Sequence, residues 1–130
     1  MDRGGRHYGG GFYDYHPDGT KSLWSGLAQF QKGNAKITIE DAQDRLLYRQ
    51  AIETLRCLHE GVLRTEVEAN LGGIFAIGMP AHTGGAIQFI RGVGIDAFGA
   101  RAAELAAEYG GRFKVDPAAL TMLRETAKTA

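Results

Sequence analysis

The side chains best suited to moving a proton or gripping a ligand are four histidines and one cysteine, and their neighbours decide what each can do. His82 lies in the loop Met79 to Thr83, just ahead of a helix start. The N–H groups at Gly84 to Ala86 would face an incoming phosphate or carboxylate there. His82, Gly84 and Gly85 are therefore the candidate anion contacts, weighed against an ordinary surface loop. Cys57 and His59 stand two apart on a helix, so their side chains diverge by ~200° and cannot share a metal. His7 and His16 sit in a glycine-rich start beside Asp14 and Asp18, which reads as turn polarity rather than proton transfer. No serine, histidine and carboxylate fall at a spacing that makes a nucleophile and its base. Gly92, Gly94 and Ala97 satisfy the G-x-G-x-x-G/A dinucleotide spacing, but a helix precedes them where a strand is required. No G-x-x-x-x-G-K-[ST] run is present, so there is no Walker A loop. The residues thus assign no catalytic group, no metal ligand and no cofactor-binding residue.

The elements that would carry these residues are legible from period and caps. Residues 1–36 are rich in glycine and aromatics, and Pro17, Asp18 and Gly19 mark a turn next to a short extended piece at Asp14 and Tyr15. Phe12, Tyr13, Tyr15, Leu23, Trp24, Leu27 and Phe30 carry too much apolar surface for a flexible spacer, and are expected to pack on the helical body. From residue 37 to 130 the pattern is helical. Thr38 with Asp41 opens a first helix, whose inner stripe is Leu47, Ala51, Leu55, Leu58 and Val62, and Gly61 stops it. Its charged side, Arg45, Arg49, Gln50, Glu53 and Arg56, reads as a solvated face. Thr65 with Glu68 opens a second helix with Val67, Leu71, Ile74 and Phe75 inward. Gly72 and Gly73 within it imply that another backbone approaches closely. Gly78 and Pro80 end it, and a short third helix runs from about Gly84 to Gly92 with Ala86, Phe89 and Ile90 inward. Asp96 caps a fourth, with Phe98, Ala102, Leu105, Ala106 and Tyr109 on one face and Gly110 closing it. Asp116 and Pro117 begin a fifth carrying Leu120 and Leu123, and Lys128 to Ala130 are expected to fray. The fold class is all-α, a compact bundle of about five helices with an N-terminal extension.

Composition narrows the function classes. A chain of 130 residues, 44% hydrophobic and 23% charged, has the balance of one globular domain. Fifteen basic residues balance fifteen acidic ones, so no net field draws nucleic acid or an anionic membrane. A single cysteine excludes an intramolecular disulfide framework and fits a reducing, cytoplasmic setting. Neither a signal peptide nor a membrane span of ~20 apolar residues is expected.

The stretch DRLLYRQAIETLRCLHEGVLRTEVEANLGGIFAIGMPAHTGGAIQFIRGVGIDAF resembles the helical C-terminal module of the 3-hydroxyacyl-CoA dehydrogenases, over roughly residues 40 to 125. Ile77, Gly78, Met79, Pro80, Gly84 and Gly85 match that family's G-x-G-x-P-x-x-x-GG segment, with Ala76 where the first glycine often sits. Upstream, GGGFYDY, the Pro17 to Gly19 turn, Leu23 and Trp24 resemble the GKGFYDY connector between two copies of this module in the multifunctional fatty-acid β-oxidation enzymes. That resemblance places the chain at the second copy and implies a 6-phosphogluconate dehydrogenase C-terminal-like fold.

The same resemblance implies what is missing. In that family NAD is held by a Rossmann domain, which also carries the catalytic histidine and glutamate, and a helping asparagine belongs to the first helical copy. Neither Asn34 nor Asn70 sits in that asparagine's motif. The implied role is domain packing and dimerisation, with His82, Gly84 and Gly85 as acyl-CoA contacts helping to shape that site, the remainder of the dehydrogenase or a second copy of the chain as partner, and no turnover by the chain alone. The alternative is an acyl-CoA-binding accessory subunit acting with a separate Rossmann domain.

Overall fold

The structure, a computed structural model, describes residues 3–31, 33 and 37–126. The expected fraying of Lys128 to Ala130 lies outside them, as does Asn34. The chain divides into two compact units, Met1–Lys36 and Ile37–Ala130.

The first unit is built on a hairpin. Strand β1 (Tyr13–Tyr15) pairs antiparallel with β2 (Lys21–Leu23), Tyr13 opposite Leu23 and Tyr15 opposite Lys21. The turn expected at Pro17 to Gly19 closes it, with Gly19 at φ +84°. Asp18 Oδ1 accepts from the Thr20 amide at 2.9 Å and its hydroxyl at 2.7 Å. Those bonds, the hydroxyl first, favour the ionised form and hold the Asp18 carboxyl below its ordinary pKa. Arg3 ties the other end: its Nε donates to Gly11 O at 3.0 Å, its guanidinium pairs with Asp14, and it lies 4.4 Å over the Trp24 ring. With Phe12, Tyr13, Tyr15, Trp24 and Phe30 it edges a cleft of about 400 Å³.

The second unit is the expected all-α bundle: α1 (Ile39–His59), α2 (Glu66–Phe75), α3 (Ala86–Val93), α4 (Ile95–Tyr109) and α5 (Pro117–Thr126). Local chemistry sets most of the ends. Thr38 Oγ1 accepts from Asp41 N at 3.0 Å to start α1, and Gly61 at φ +76° follows its end. Thr65 Oγ1 accepts from Glu68 N at 3.1 Å, while the Glu68 carboxylate reaches back to Arg64 N at 2.8 Å. Asp116 Oδ1 accepts from Ala118 N at 2.8 Å in the first turn of α5. One cap falls elsewhere than expected. Gly94 occupies the N-cap of α4, and Asp96 sits inside its first turn, where its Oδ1 receives Arg124 at 2.6 and 3.2 Å.

The core gathers α1, α3, α4 and α5 around an aromatic group. Phe98 is fully buried, stacked on Tyr48 at 4.6 Å, and Phe89 stands edge-on to both rings at 5.6 and 6.2 Å. Leu55, Ile87, Ile90, Leu105 and Leu123 pack round them. The inner stripe of α1 is Ala51 and Leu55 with Leu47 and Leu58 half-buried, joined by Tyr48 and Ile52. Val62 lies beyond the helix and is 69% exposed, so the stripe ends at Leu58. At the α1–α4 crossing, Arg101 meets Asp41, Asp44 (2.8 Å) and Glu104 (3.0 Å), and these carboxylates, Asp41 foremost, raise its pKa further. The charged face of α1 does more than meet solvent. Arg49, Glu53, Arg56 and Glu60 form a chain of ion pairs, and Gln50 Nε2 donates to Ile77 O at 3.1 Å, anchoring the segment after α2.

Candidate functional site: the glycine–proline elbow

Between α2 and α3 the chain turns through Gly78 (φ +71°), the buried Met79, Pro80, a 3-10 turn at Ala81–Thr83, Gly84 (φ +73°) and Gly85 (φ +100°). Only glycine reaches these φ values without strain. Met79 N donates to Gly73 O at 2.9 Å, folding the elbow back on the end of α2. The close approach expected at Gly72 and Gly73 is met at Gly73, which faces the backbone of Ala86, but not at Gly72, and it is tightest at Gly85. A Cβ on Gly72 would meet nothing within 4 Å, and one on Gly73 would make ordinary contacts from 3.5 Å. A Cβ on Gly85 would stand 2.5 Å from Asn70 Cα and 2.6 Å from Asn70 O. Gly85 is thus where two backbones touch.

Asn70 explains that contact. Its Oδ1 accepts from Ile87 N at 2.8 Å and Gln88 N at 3.2 Å, capping α3 from a neighbouring helix. Two of the three amides expected to face an anion have internal acceptors: Gly84 N donates to Ala81 O at 3.0 Å, and Gly85 N to Thr83 Oγ1 at 3.2 Å. His82 is exposed on the 3-10 turn, beside a groove of about 400 Å³ lined also by Gln43, Leu46, Leu47, Gln50, Gly78 and Pro80. Replacing Asn70 with alanine should therefore cost about 1–2 kcal/mol. Asn70→Asp, which keeps the acceptor, should lose less. Urea unfolding of the two variants checks this; equal losses would deny the capping role.

Helix α2 buries a different side from the one its apolar residues suggest. Ala69 and Gly73 are inward, and Asn70 and Ile74 are half-buried, while Val67 (65%), Leu71 (50%) and Phe75 (82%) are exposed. Small residues let α3 come close, and Arg91 of α3 pairs with Glu66 at 2.6 Å beside them. Val67, Leu71 and Phe75, spaced i, i+4, i+8, form an apolar ridge along the outer side.

Two further histidine pairs escape sequence spacing. His59 Nδ1 lies 3.8 Å from Asp116 Oδ2, and His16 Nε2 is 3.0 Å from Ser22 Oγ across the hairpin. The first carboxylate is already engaged in capping α5, and the second pair stands exposed on the two-stranded hairpin. Among the described residues, no group of three or more His, Cys, Asp or Glu is arranged to hold a metal, and no helix is long and apolar enough to cross a membrane. The Gly92, Gly94, Ala97 spacing joins α3 to α4, with helix on both sides.

An all-α unit turned at a glycine–proline elbow, with an apolar ridge along the outer side of α2, defines a compact helical domain. No family model matches the chain. It is similar to the fatty acid oxidation complex subunit alpha of Pseudomonas paraeruginosa (strain PA7), 33% identical over 119 residues, covering 83% of this chain and 17% of the relative. The subunit of the same name from Pseudomonas aeruginosa (strain UCBPP-PA14) gives the same values, and that of Ectopseudomonas oleovorans is 31% identical over 113 residues, 81% of this chain and 16% of the relative. The chain is similar to one segment of these alpha subunits and spans about a sixth of their length.

Proposed function

We propose that the chain is a helical packing module of a multifunctional fatty-acid β-oxidation enzyme of the 3-hydroxyacyl-CoA dehydrogenase family, seated on the rest of that enzyme through α2. Binding of NAD and proton transfer fall to the Rossmann part of such an enzyme. The observation that carries this reading is the ridge of Val67, Leu71 and Phe75, turned outward while Ala69 and Gly73 face the core. Each large apolar side chain removed from water contributes roughly 1.5–3 kcal/mol, a gain left unused while the ridge is uncovered. The relatives supply the partner, because five-sixths of their length lies outside the matched segment.

Kept apart from that partner, the chain should cover the ridge with a second copy of itself. Sedimentation equilibrium should show a mass rising above 14.0 kDa with concentration. A mass fixed at 14.0 kDa up to the solubility limit would count against the reading.

A second reading, an acyl-CoA-binding accessory subunit using His82, Gly84 and Gly85, is favoured by the groove beside His82 with its Leu46 and Leu47 wall. Calorimetric titration with acetoacetyl-CoA distinguishes the two: saturable heat supports the accessory role, and its absence at millimolar ligand removes it.

A further inference from the structure

Three guanidinium groups edge one cleft of the helical unit. Arg45 and Arg49, four residues apart, project from the same side of α1, and Arg112 comes from the 3-10 turn Gly111–Phe113. Ala42, Leu46 and Phe113 complete the lining of a space of about 350 Å³, and no carboxylate is among the lining residues. Two of the three cations are already positioned. Arg49 Nη1 donates to Arg112 O at 2.9 Å and its Nη2 pairs with Glu53 at 2.9 Å, while the Arg45 guanidinium rests 4.4 Å over the Tyr109 ring. Glu53 is shared with Arg56, which Glu60 also meets, so that chain is balanced and the charge left over at this edge is that of Arg45 and Arg112. In a chain of zero formal net charge, that is a local excess of positive charge.

The chemistry that fits is specific. Guanidinium forks match phosphate oxygens in pairs, and groups held in place beforehand lose less freedom on binding. Ala42 and the 70%-exposed Leu46 offer an apolar floor that a bare inorganic ion would leave uncovered. The geometry points to an organic phosphate, a phosphate group carried on an apolar or aromatic body, as the ligand of Arg45, Arg49 and Arg112. This site lies on α1 and the Gly111–Phe113 turn, so it stands or falls apart from the α2 ridge.

The probes are ADP and inorganic pyrophosphate, titrated separately into the isotope-labelled chain and followed through arginine Nε–H and backbone signals. Saturable shifts should appear at Arg45, Arg49 and Arg112, with ADP tighter by roughly tenfold because the floor meets its ring. Arg45→Gln combined with Arg112→Gln should weaken both ligands about tenfold or more. Should the double variant unfold, Arg112→Gln alone serves, since the carbonyl of Arg112 makes the tie to Arg49. Phe75→Ser should bind both probes unchanged. The inference is overturned if no saturation occurs by about 10 mM, if the arginine variants bind as the unaltered chain does, or if poly-glutamate saturates the cluster where ADP does not. The last result would assign the cleft to an acidic protein segment.

Discussion

Gly85→Ala is expected to lower the stability of the helical unit by roughly 2–6 kcal/mol. Two costs combine. A non-glycine residue held at φ +100° carries roughly 1–3 kcal/mol of backbone strain, and forcing an atom into a filled space costs a similar amount. The new Cβ would lie 2.5 Å from Asn70 Cα, and a backbone atom cannot swing aside as the end of a flexible side chain does. Relief would require α2 and α3 to separate, which breaks the bonds from Ile87 N and Gln88 N to Asn70 Oδ1. Set against the ~5–15 kcal/mol of a typical domain, that is a large fraction of the total. Gly72→Ala is the matched control: it lies in α2 with open space around it and should gain about 0.5–1 kcal/mol. Urea unfolding of both variants gives the answer. A loss below about 1 kcal/mol at Gly85 would mean that the two backbones do not depend on its lack of a side chain.

Phe98→Ala should be comparably severe, at about 3–5 kcal/mol. Its ring is fully buried, stacked on Tyr48 and met edge-on by Phe89, so truncation leaves a cavity and removes two aromatic contacts. The melting temperature should fall by roughly 12 °C or more. Phe75→Ser provides the contrast. At 82% exposure that ring contributes little to the isolated unit, so its melting temperature should move by only a few degrees. Similar losses from the two substitutions would show that the outer side of α2 is packed after all.

What could be read from the sequence depended on whether the cause was local. Thr38, Thr65 and Asp116 announce helix starts because each cap oxygen meets an amide two or three residues away. Gly61 and Gly110 mark helix ends in the same way. The inner face of α4 was equally plain, because Phe98, Ala102 and Leu105 recur at helical spacing, and all three are buried.

Helix α2 was not legible, and the reason is physical. Val67, Leu71, Ile74 and Phe75 make the larger apolar face, so periodicity alone turns them inward. The neighbour α3 instead packs on Ala69 and Gly73, where small side chains allow close approach; Ile74 is half-buried, and Val67, Leu71 and Phe75 are left outside. At the elbow, spacing drew attention to Gly84 and Gly85, which the fold holds at positive φ, but not to what their amides and the helix start would meet. The oxygen that caps α3 belongs to Asn70, 17 residues before Ile87, and nothing nearby in the chain reveals it. His59 with Asp116 and His16 with Ser22 are invisible for the same reason, being brought together only by the fold.

The central claim is that the ridge on α2 seats this module on the rest of a larger enzyme. It is tested most directly by titrating the chain into the fatty acid oxidation complex subunit alpha of Pseudomonas aeruginosa from which the matching segment has been removed. Saturable binding by the unaltered chain, weakened at least about tenfold by Phe75→Ser, is the predicted result. No binding by the unaltered chain, or equal binding by the variant, would contradict it.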